Sequence, residues 1–168
     1  ERAVAAATGV SRVRIPYSVL KSLPDKLREA DFKVQCIIRR TAKNIFVYDL
    51  FPMDVKVRAG GLVVDIGTTT VSALIIDMLN GDILAKATTG NGQIRYGADV
   101  INRIIESTKQ GGRGRLQDAI VAETLNPMIQ QMCRAAGIST RHIYRVSIAG
   151  NTTMNHLLMG INADPLRM

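Results

Sequence analysis

The spacing of hydrophobic positions changes near residue 60, and this change predicts two domains. Up to residue 59, a helical spacing is followed by two short stretches in which apolar and polar residues alternate. The segment Arg58–Gly61 interrupts both patterns and ends in two consecutive glycines. We therefore expect a small α+β domain over residues 1–59 and a second domain over residues 60–168.

In the first domain, the pattern predicts a strand, a helix and a hairpin. Leu20, Leu23 and Leu27 lie on one helical face. Because proline is well tolerated in a first helical turn, we expect this helix to begin near Ser22–Pro24. Strands are expected at three places: residues 12–15, 34–38 and 45–47.

In the second domain, three stretches rich in β-branched and aliphatic residues predict an antiparallel meander. They are residues 62–67, 71–78 and 83–88. Asn80 and Gly81 lie between the second and third stretches. This pair is typical of a type I′ turn, in which both central residues have positive φ.

Beyond the meander, the spacing predicts helices and one further strand. The expected elements are a helix from near Gly97, a helix from residue 116 to Gly137, a strand over residues 144–148 and a helix after Asn151. Pro127 lies inside the second of these helices. We expect it to kink or split that helix, with Asn126 capping the second half.

The composition narrows the class of protein. Hydrophobic residues make up 46% and charged residues 21%, as in soluble globular proteins. Because no apolar run is long enough to span a bilayer and the first residues lack signal-peptide features, we expect a cytoplasmic protein without a membrane partner. The two cysteines, Cys36 and Cys133, are far apart and predict reduced core thiols.

The net charge of +8 suits an anionic partner such as a nucleotide, an acidic protein or nucleic acid. The basic residues are scattered, however, and the chain has no Trp. Because nucleic-acid binding usually combines a basic stripe with stacking aromatic residues, we expect no nucleic-acid partner.

The segment from Asp65 to Thr70 has the composition of a site for phosphate and magnesium. A carboxylate in an apolar strand is costly unless it is paired or faces a polar site, so Asp65 is a candidate for holding Mg²⁺ through water. Gly67 lets a ligand approach the backbone. Thr68, Thr69 and Thr70 offer hydroxyl and N–H donors to phosphate oxygens. The alternative is a hairpin that binds nothing, with Asp65 bonded to backbone.

A second polar turn follows the fourth predicted strand. It contains Gly150, Asn151, Thr152 and Thr153, and either Asn151 or Thr152 can cap the next helix. Because helix N-termini favour anions, this turn is a candidate for contacting the same phosphates. An ordinary cap without a ligand is the alternative.

Polar residues between the sheet and the first helix of this domain allow two interpretations. Arg95, Asp99 and Arg103 form either a cleft wall or partner contact, or local ion pairs on a solvated helix. His156, one turn into the last helix, is expected to pack rather than to react.

Three motifs together resemble the reductive activators of corrinoid proteins, which belong to the actin, sugar-kinase and heat-shock-chaperone superfamily of ATPases. The motifs are VVDIGTTTV at residues 63–71, QIRYGADVINRI at 93–104 and AGNTTMNH at 149–156. Residues 62–168 carry the resemblance, and residues 13–56 resemble the small middle domain of that family more loosely. The resemblance implies an α/β fold: the first lobe of a ribonuclease-H-like, actin-like ATPase, with a three-stranded antiparallel meander, a parallel strand and helices, preceded by a small α+β domain.

The same resemblance implies an ATP-dependent activase that returns the oxidised Co(II) corrinoid protein of a methyltransferase system to Co(I). ATP and Mg²⁺ are the implied cofactors, with Asp65 as the magnesium and catalytic candidate beside Thr68–Thr70, and Asn151–Thr153 on the opposite side. A two-iron, two-sulfur cluster is expected only in a preceding ferredoxin domain, because the chain lacks the four cysteines. The implied partners are nucleotide and corrinoid protein, and a homodimer is compatible with the sequence.

A start without Met and an end at Leu166–Met168 without a closing element predict a piece of a longer protein. Because catalysis in this superfamily takes place between two lobes, we expect one lobe alone to bind nucleotide weakly and to hydrolyse it negligibly. Two other functions remain open: a sugar or carboxylate kinase of the same superfamily, and a non-catalytic interaction module.

Overall fold

The computed structural model describes residues 1–167, and the chain divides into two compact units, Glu1–Val57 and Arg58–Met168. The expected boundary lay between residues 59 and 60. Each unit has its own cluster of buried hydrophobic residues, as a separately packed domain requires. Among residues 1–167, no helix is long and apolar enough to cross a bilayer.

The first unit contains the predicted hairpin and short strand, together with a helix that precedes them. Its elements are α1 (Arg2–Thr8), β1 (Val13–Arg14), α2 (Tyr17–Glu29), β2 (Val34–Arg40) and β3 (Ile45–Pro52). The sheet order is β1-β3-β2, with β1 parallel and β2 antiparallel to β3. Val19 of α2 is buried with Ile45, Val47 and Leu50 of β3, and these four residues form the core of this unit.

Helix α2 begins at Tyr17, so the predicted start near Ser22–Pro24 is wrong. Pro16 is its N-cap residue, and Pro24 lies in the helix interior. An interior proline removes one backbone hydrogen bond. The extra N-terminal turn is retained because it places Val19, which is 7% exposed, in the core.

The second unit is a mixed α/β fold. Its elements are β4 (Gly60–Ile66), β5 (Thr70–Asp77), β6 (Ile83–Gly90), α3 (Val100–Thr108), α4 (Gly112–Ile120), α5 (Asn126–Ala136), β7 (Ile143–Gly150) and α6 (Thr152–Leu158), with short 3₁₀ turns at Gly92–Tyr96, Thr140–His142 and Asp164–Arg167. The sheet order is β6-β5-β4-β7. Strands β4, β5 and β6 pair antiparallel, and β7 pairs parallel to β4. The expected meander and parallel strand are confirmed.

Helices cover one face of this sheet. Leu62, Val64 and Ile66 of β4 are buried against residues of the helices, while Val63 and Asp65 are exposed on the opposite face. Alternation along the strand therefore separates the core from an open face.

Strand β7 lies at the edge of the sheet and is incompletely covered. Its Val146 and Ile148 pair with Leu62 and Val64, so they point to the helix side. They are nevertheless 53% and 41% exposed. The helices thus cover the centre of the sheet but leave this edge open.

The connection between β5 and β6 differs from the predicted type I′ turn. It is five residues long, and Gly81, with φ of 83°, is its only residue with positive φ. Asp77 Oδ1 accepts a hydrogen bond from Leu79 N at 3.0 Å, and Asn80 Oδ1 accepts one from Asp82 N at 3.0 Å. These side-chain acceptors satisfy loop N–H groups and favour the longer connection.

Pro127 divides the long predicted helix, as expected. A π-helical turn at Val121–Leu125 separates α4 from α5, and Pro127 lies in the first turn of α5. Asn126 itself has helical φ and ψ, so the predicted capping role is wrong. Gly137 ends α5 with φ of 66°, which confirms the predicted C-cap.

Two glycines of α4 offer a matched test of the packing of α4 on α3. A Cβ at Gly112 would lie 1.9 Å from the carbonyl oxygen of Glu106, whereas a Cβ at Gly114 meets nothing within 4 Å. We expect Gly112→Ala to destabilise the unit by about 1–3 kcal/mol, as overpacking does. Gly114→Ala is expected to stabilise it by up to about 1 kcal/mol through helix propensity. Urea unfolding followed by far-UV circular dichroism measures both, and equal effects would contradict the packing of α4 on α3.

Candidate functional site

Parallel pairing brings the two predicted polar turns together. Strands β4 and β7 pair Asp65 with Ala149 and Ile66 with Gly150, so both strands end at the same edge of the sheet. The segment Gly67–Thr70, here called the threonine turn, leaves β4 at this edge. Asn151 leaves β7 beside it, and its Nδ2 donates a hydrogen bond to Thr68 Oγ1 at 3.3 Å.

All four carbonyl groups of the threonine turn accept hydrogen bonds. Asn91 donates to two of them, from its Nδ2 to Gly67 O at 2.9 Å and from its backbone N to Thr69 O at 2.8 Å. Arg103 Nη2 donates to Thr68 O at 2.6 Å. Thr70 O accepts from Gly67 N at 2.9 Å. The first three bonds fix the carbonyls of Gly67, Thr68 and Thr69 on Asn91 and Arg103, both of which are buried.

The direction of these carbonyls decides where the N–H groups point. The described chain has no cis peptide, and in a trans peptide the C=O of one residue and the N–H of the next point in opposite directions. The N–H groups of Thr68 and Thr69 therefore point away from the buried donors. Neither has an acceptor among residues 1–167. The turn thus offers two unpaired backbone donors beside its hydroxyl groups, a set suited to an anion.

Gly67 is required by the close approach within this turn. A Cβ at this position would lie 2.6 Å from Thr70 O, nearer than the two atoms can approach. The turn can therefore close only on a glycine.

Asp65 lies on the open face of the sheet rather than in the core. Its cross-strand partner is Ser72, whose Oγ is 3.2 Å from Thr88 Oγ1. These residues and Lys86 line a groove of about 550 Å³. Asp65 forms no ion pair within residues 1–167. Its carboxylate is thus available to water or a cation.

The described residues contain no group of three His, Cys, Asp or Glu side chains that could hold a metal ion by itself. A Mg²⁺ ion at Asp65 would therefore take its other ligands from water and phosphate, which is the usual behaviour of this ion.

In the second polar turn, Asn151 is the cap. Its Oδ1 accepts a hydrogen bond from Met154 N at 2.9 Å, so Asn151, rather than Thr152, caps α6. Thr152 is exposed, whereas Thr153 is 9% exposed and faces the core. The structure thus brings the Asn151 side chain, and not that of Thr153, to the threonine turn.

Local contacts are made by two residues that the sequence left open, Arg95 and Asp99, and by His156, which was expected to pack. Arg95 pairs with Glu123 at 2.5 Å, and this bond lowers the pKa of the Glu123 carboxyl. Asp99 caps α3 by accepting from Asn102 N at 2.8 Å. His156 Nδ1 lies 2.8 Å from a backbone oxygen of its own helix. None of these three contacts involves the threonine turn.

Arg103 fits neither predicted role, because its side chain is buried. It is 0% exposed, and the neighbouring Asn91 and Gln93 are 2% and 1% exposed. Sequence reasoning missed Asn91 and Gln93 as structural residues of the site. The sequence does contain a signal that Arg103 is buried. Arg103 falls three residues after Val100 and directly before Ile104, on the apolar stripe of α3.

Comparison with known proteins identifies the class of protein that carries these features. A family model described as the RACo middle region matches residues 60–168. The matched residues lie in the second unit. Residues 13–56, in the first unit, had instead been expected from the sequence to resemble the middle domain of the family. The corrinoid activation enzyme RamQ of Eubacterium limosum is 36% identical over 123 residues, which are 71% of this chain and 20% of RamQ.

A solved structure supports the same class. It is titled a reductive activator for corrinoid, iron-sulfur protein, and it matches 98% of this chain with a TM-score of 0.80 and 31% identity. The chain belongs to the family of reductive activators of corrinoid proteins. It spans about a fifth of RamQ and about a quarter of the chain in the solved structure.

Substitution of Asn151 tests its role as the cap of α6. Asn151→Ala removes the cap and the contact with Thr68, and we expect it to lower the free energy of unfolding by about 1 kcal/mol. Asn151→Asp keeps an oxygen that accepts from Met154 N, so its stability is expected to stay within a few tenths of a kcal/mol of wild type. Urea titration measures both. Equal losses in the two variants would show that the cap is not what Asn151 contributes.

Proposed function

We propose that this chain supplies one phosphate-binding side of an MgATP site in a protein that returns an oxidised Co(II) corrinoid protein of a methyltransferase system to Co(I). The observation that carries the proposal is the threonine turn. Its carbonyl groups all accept hydrogen bonds, and within the described part of the chain the N–H groups of Thr68 and Thr69 have no acceptor. Such oriented backbone donors bind phosphate in many nucleotide sites.

The residues of the site have separate roles in this proposal. The N–H and hydroxyl groups of Thr68 and Thr69 donate to phosphate oxygens, and Gly67 keeps the turn closed. Asp65 holds Mg²⁺ through water from the open face of the sheet, and Asn151 lines the other side. When bound, Mg²⁺ neutralises phosphate charge.

The fold supports this assignment. An antiparallel meander continued by a parallel strand is the arrangement expected of the first lobe of a ribonuclease-H-like ATPase. We propose that a second lobe completes the ATP site, because one side of a cleft leaves most of a nucleotide exposed.

Electron transfer is assigned to a different part of the protein. A two-iron, two-sulfur cluster takes four cysteine ligands, and the chain has Cys36 and Cys133 alone. Cys133 is 2% exposed, and burial raises the pKa of its thiol. Its buried, protonated thiol is unsuited to metal or redox chemistry.

The test uses the full-length protein that contains this chain. MgATP is titrated calorimetrically, and phosphate release is measured with and without an oxidised corrinoid protein. We expect Asp65→Asn to weaken MgATP binding about tenfold or more, because a neutral amide attracts Mg²⁺ and its bound water less strongly than a charged carboxylate does. The matched control is Asp118→Asn, which removes the same charge from an exposed position on α4.

The outcomes separate the three candidate functions. Stimulation by the corrinoid protein, together with a loss in Asp65→Asn but not in Asp118→Asn, supports the proposal. Stimulation by a sugar or a carboxylic acid instead would identify a kinase. Absence of MgATP binding in the wild-type protein would favour an interaction module.

A further inference from the structure

The guanidinium of Arg103 is a buried cation that has no carboxylate partner. It is 0% exposed, and it forms no ion pair within residues 1–167. Its bonding partners are neutral: Thr68 O at 2.6 Å, Gly97 O at 2.8 Å, Met154 Sδ at 3.3 Å and Gln93 Oε1 at 3.5 Å.

Asp99 is the acid whose charge acts on this cation, and it offsets the effect of burial on the pKa of Arg103 only in part. Both carboxylate oxygens of Asp99 accept hydrogen bonds from Asn102, and Asp99 is exposed. Burial lowers the pKa of Arg103, but arginine stays charged in proteins. An uncompensated buried charge is strongly unfavourable. Among residues 1–167, the structure therefore contains a positive charge behind the threonine turn without a carboxylate paired to it.

Arg103 also determines the direction of one N–H group that would donate a hydrogen bond to phosphate. By holding Thr68 O on the buried side, it turns the N–H of Thr69 to the opposite side. A hydrogen bond from a cation to this carbonyl also polarises the peptide and makes that N–H a stronger donor. Arg103 thus lies on the buried side of the turn and orients an N–H group on the opposite side.

We propose that Arg103 is a positioning residue for phosphate, and that the bound phosphate is the counter-charge that its buried guanidinium lacks. This inference rests on the proposed MgATP site. It assigns phosphate recognition to α3 as well as to the two turns. Through Met154, the same guanidinium also contacts the first turn of α6, which follows Asn151.

The test compares two ligands that share adenosine and differ in the triphosphate and its Mg²⁺. The full-length protein is titrated with MgATP and with adenosine, and the ratio of the two dissociation constants is measured. We expect Arg103→Met to lower the preference for MgATP about tenfold, the size of one lost hydrogen bond to a charged group, and to leave adenosine binding unchanged. Arg103→Lys keeps the charge but not the guanidinium fork, so we expect a loss of about threefold.

Arg134→Met is the matched control. It removes the same charge from an exposed position on α5, where Arg134 Nε donates to a backbone oxygen of its own helix. Its ratio is expected to equal that of wild type. Thermal unfolding followed by circular dichroism checks that each variant is folded. If Arg103→Met does not fold, the ratio for Arg103→Lys decides.

The results distinguish this inference from the function on which it rests. A wild-type protein that binds MgATP no better than adenosine would contradict the proposed phosphate site itself. A wild-type preference that survives unchanged in the folded Arg103 variants would overturn only the role of Arg103. An equal loss for both ligands would also overturn it, because it would indicate a purely structural residue.

Discussion

Strand β4 pairs on both of its sides, and this double pairing sets the positions of Asp65 and of the two polar turns of the site. Its antiparallel partner β5 receives the chain from the threonine turn, and its parallel partner β7 delivers Asn151 to the same edge. The register is fixed by burial. A shift of one residue would move Asp65 from the open face to the helix-covered face and would expose Val64 and Ile66.

Behind this edge, buried polar side chains connect the threonine turn to three helices. Gln93 Nε2 donates to Leu116 O of α4 at 2.9 Å, and Arg103 joins α3 to Met154 of α6. Because buried polar groups are costly when left unpaired, each of these bonds favours formation of the others. The conformation of an exposed turn therefore depends on the packing of the helices behind it.

Local chemistry explains which parts of the structure could be predicted. Gly67, Gly137 and Asn151 act through turns and caps that a few neighbouring residues determine, and their positions followed from the sequence. The start of α2 did not, because it depends on Val19 reaching a core formed by β3. The buried position of Arg103 was likewise unpredictable in detail, since its acceptor Thr68 O lies 35 residues away in sequence. Single-residue preferences do not encode such distant pairing.

The uncovered edge at β7 has a practical consequence. A strand at the end of a sheet offers a row of N–H and C=O groups to any other strand, and here Val146 and Ile148 add apolar surface beside that row. Two copies of this unit brought together in concentrated solution can join edge to edge and continue the sheet from one molecule into the next. This edge is therefore the place at which a strand from another chain could extend the sheet.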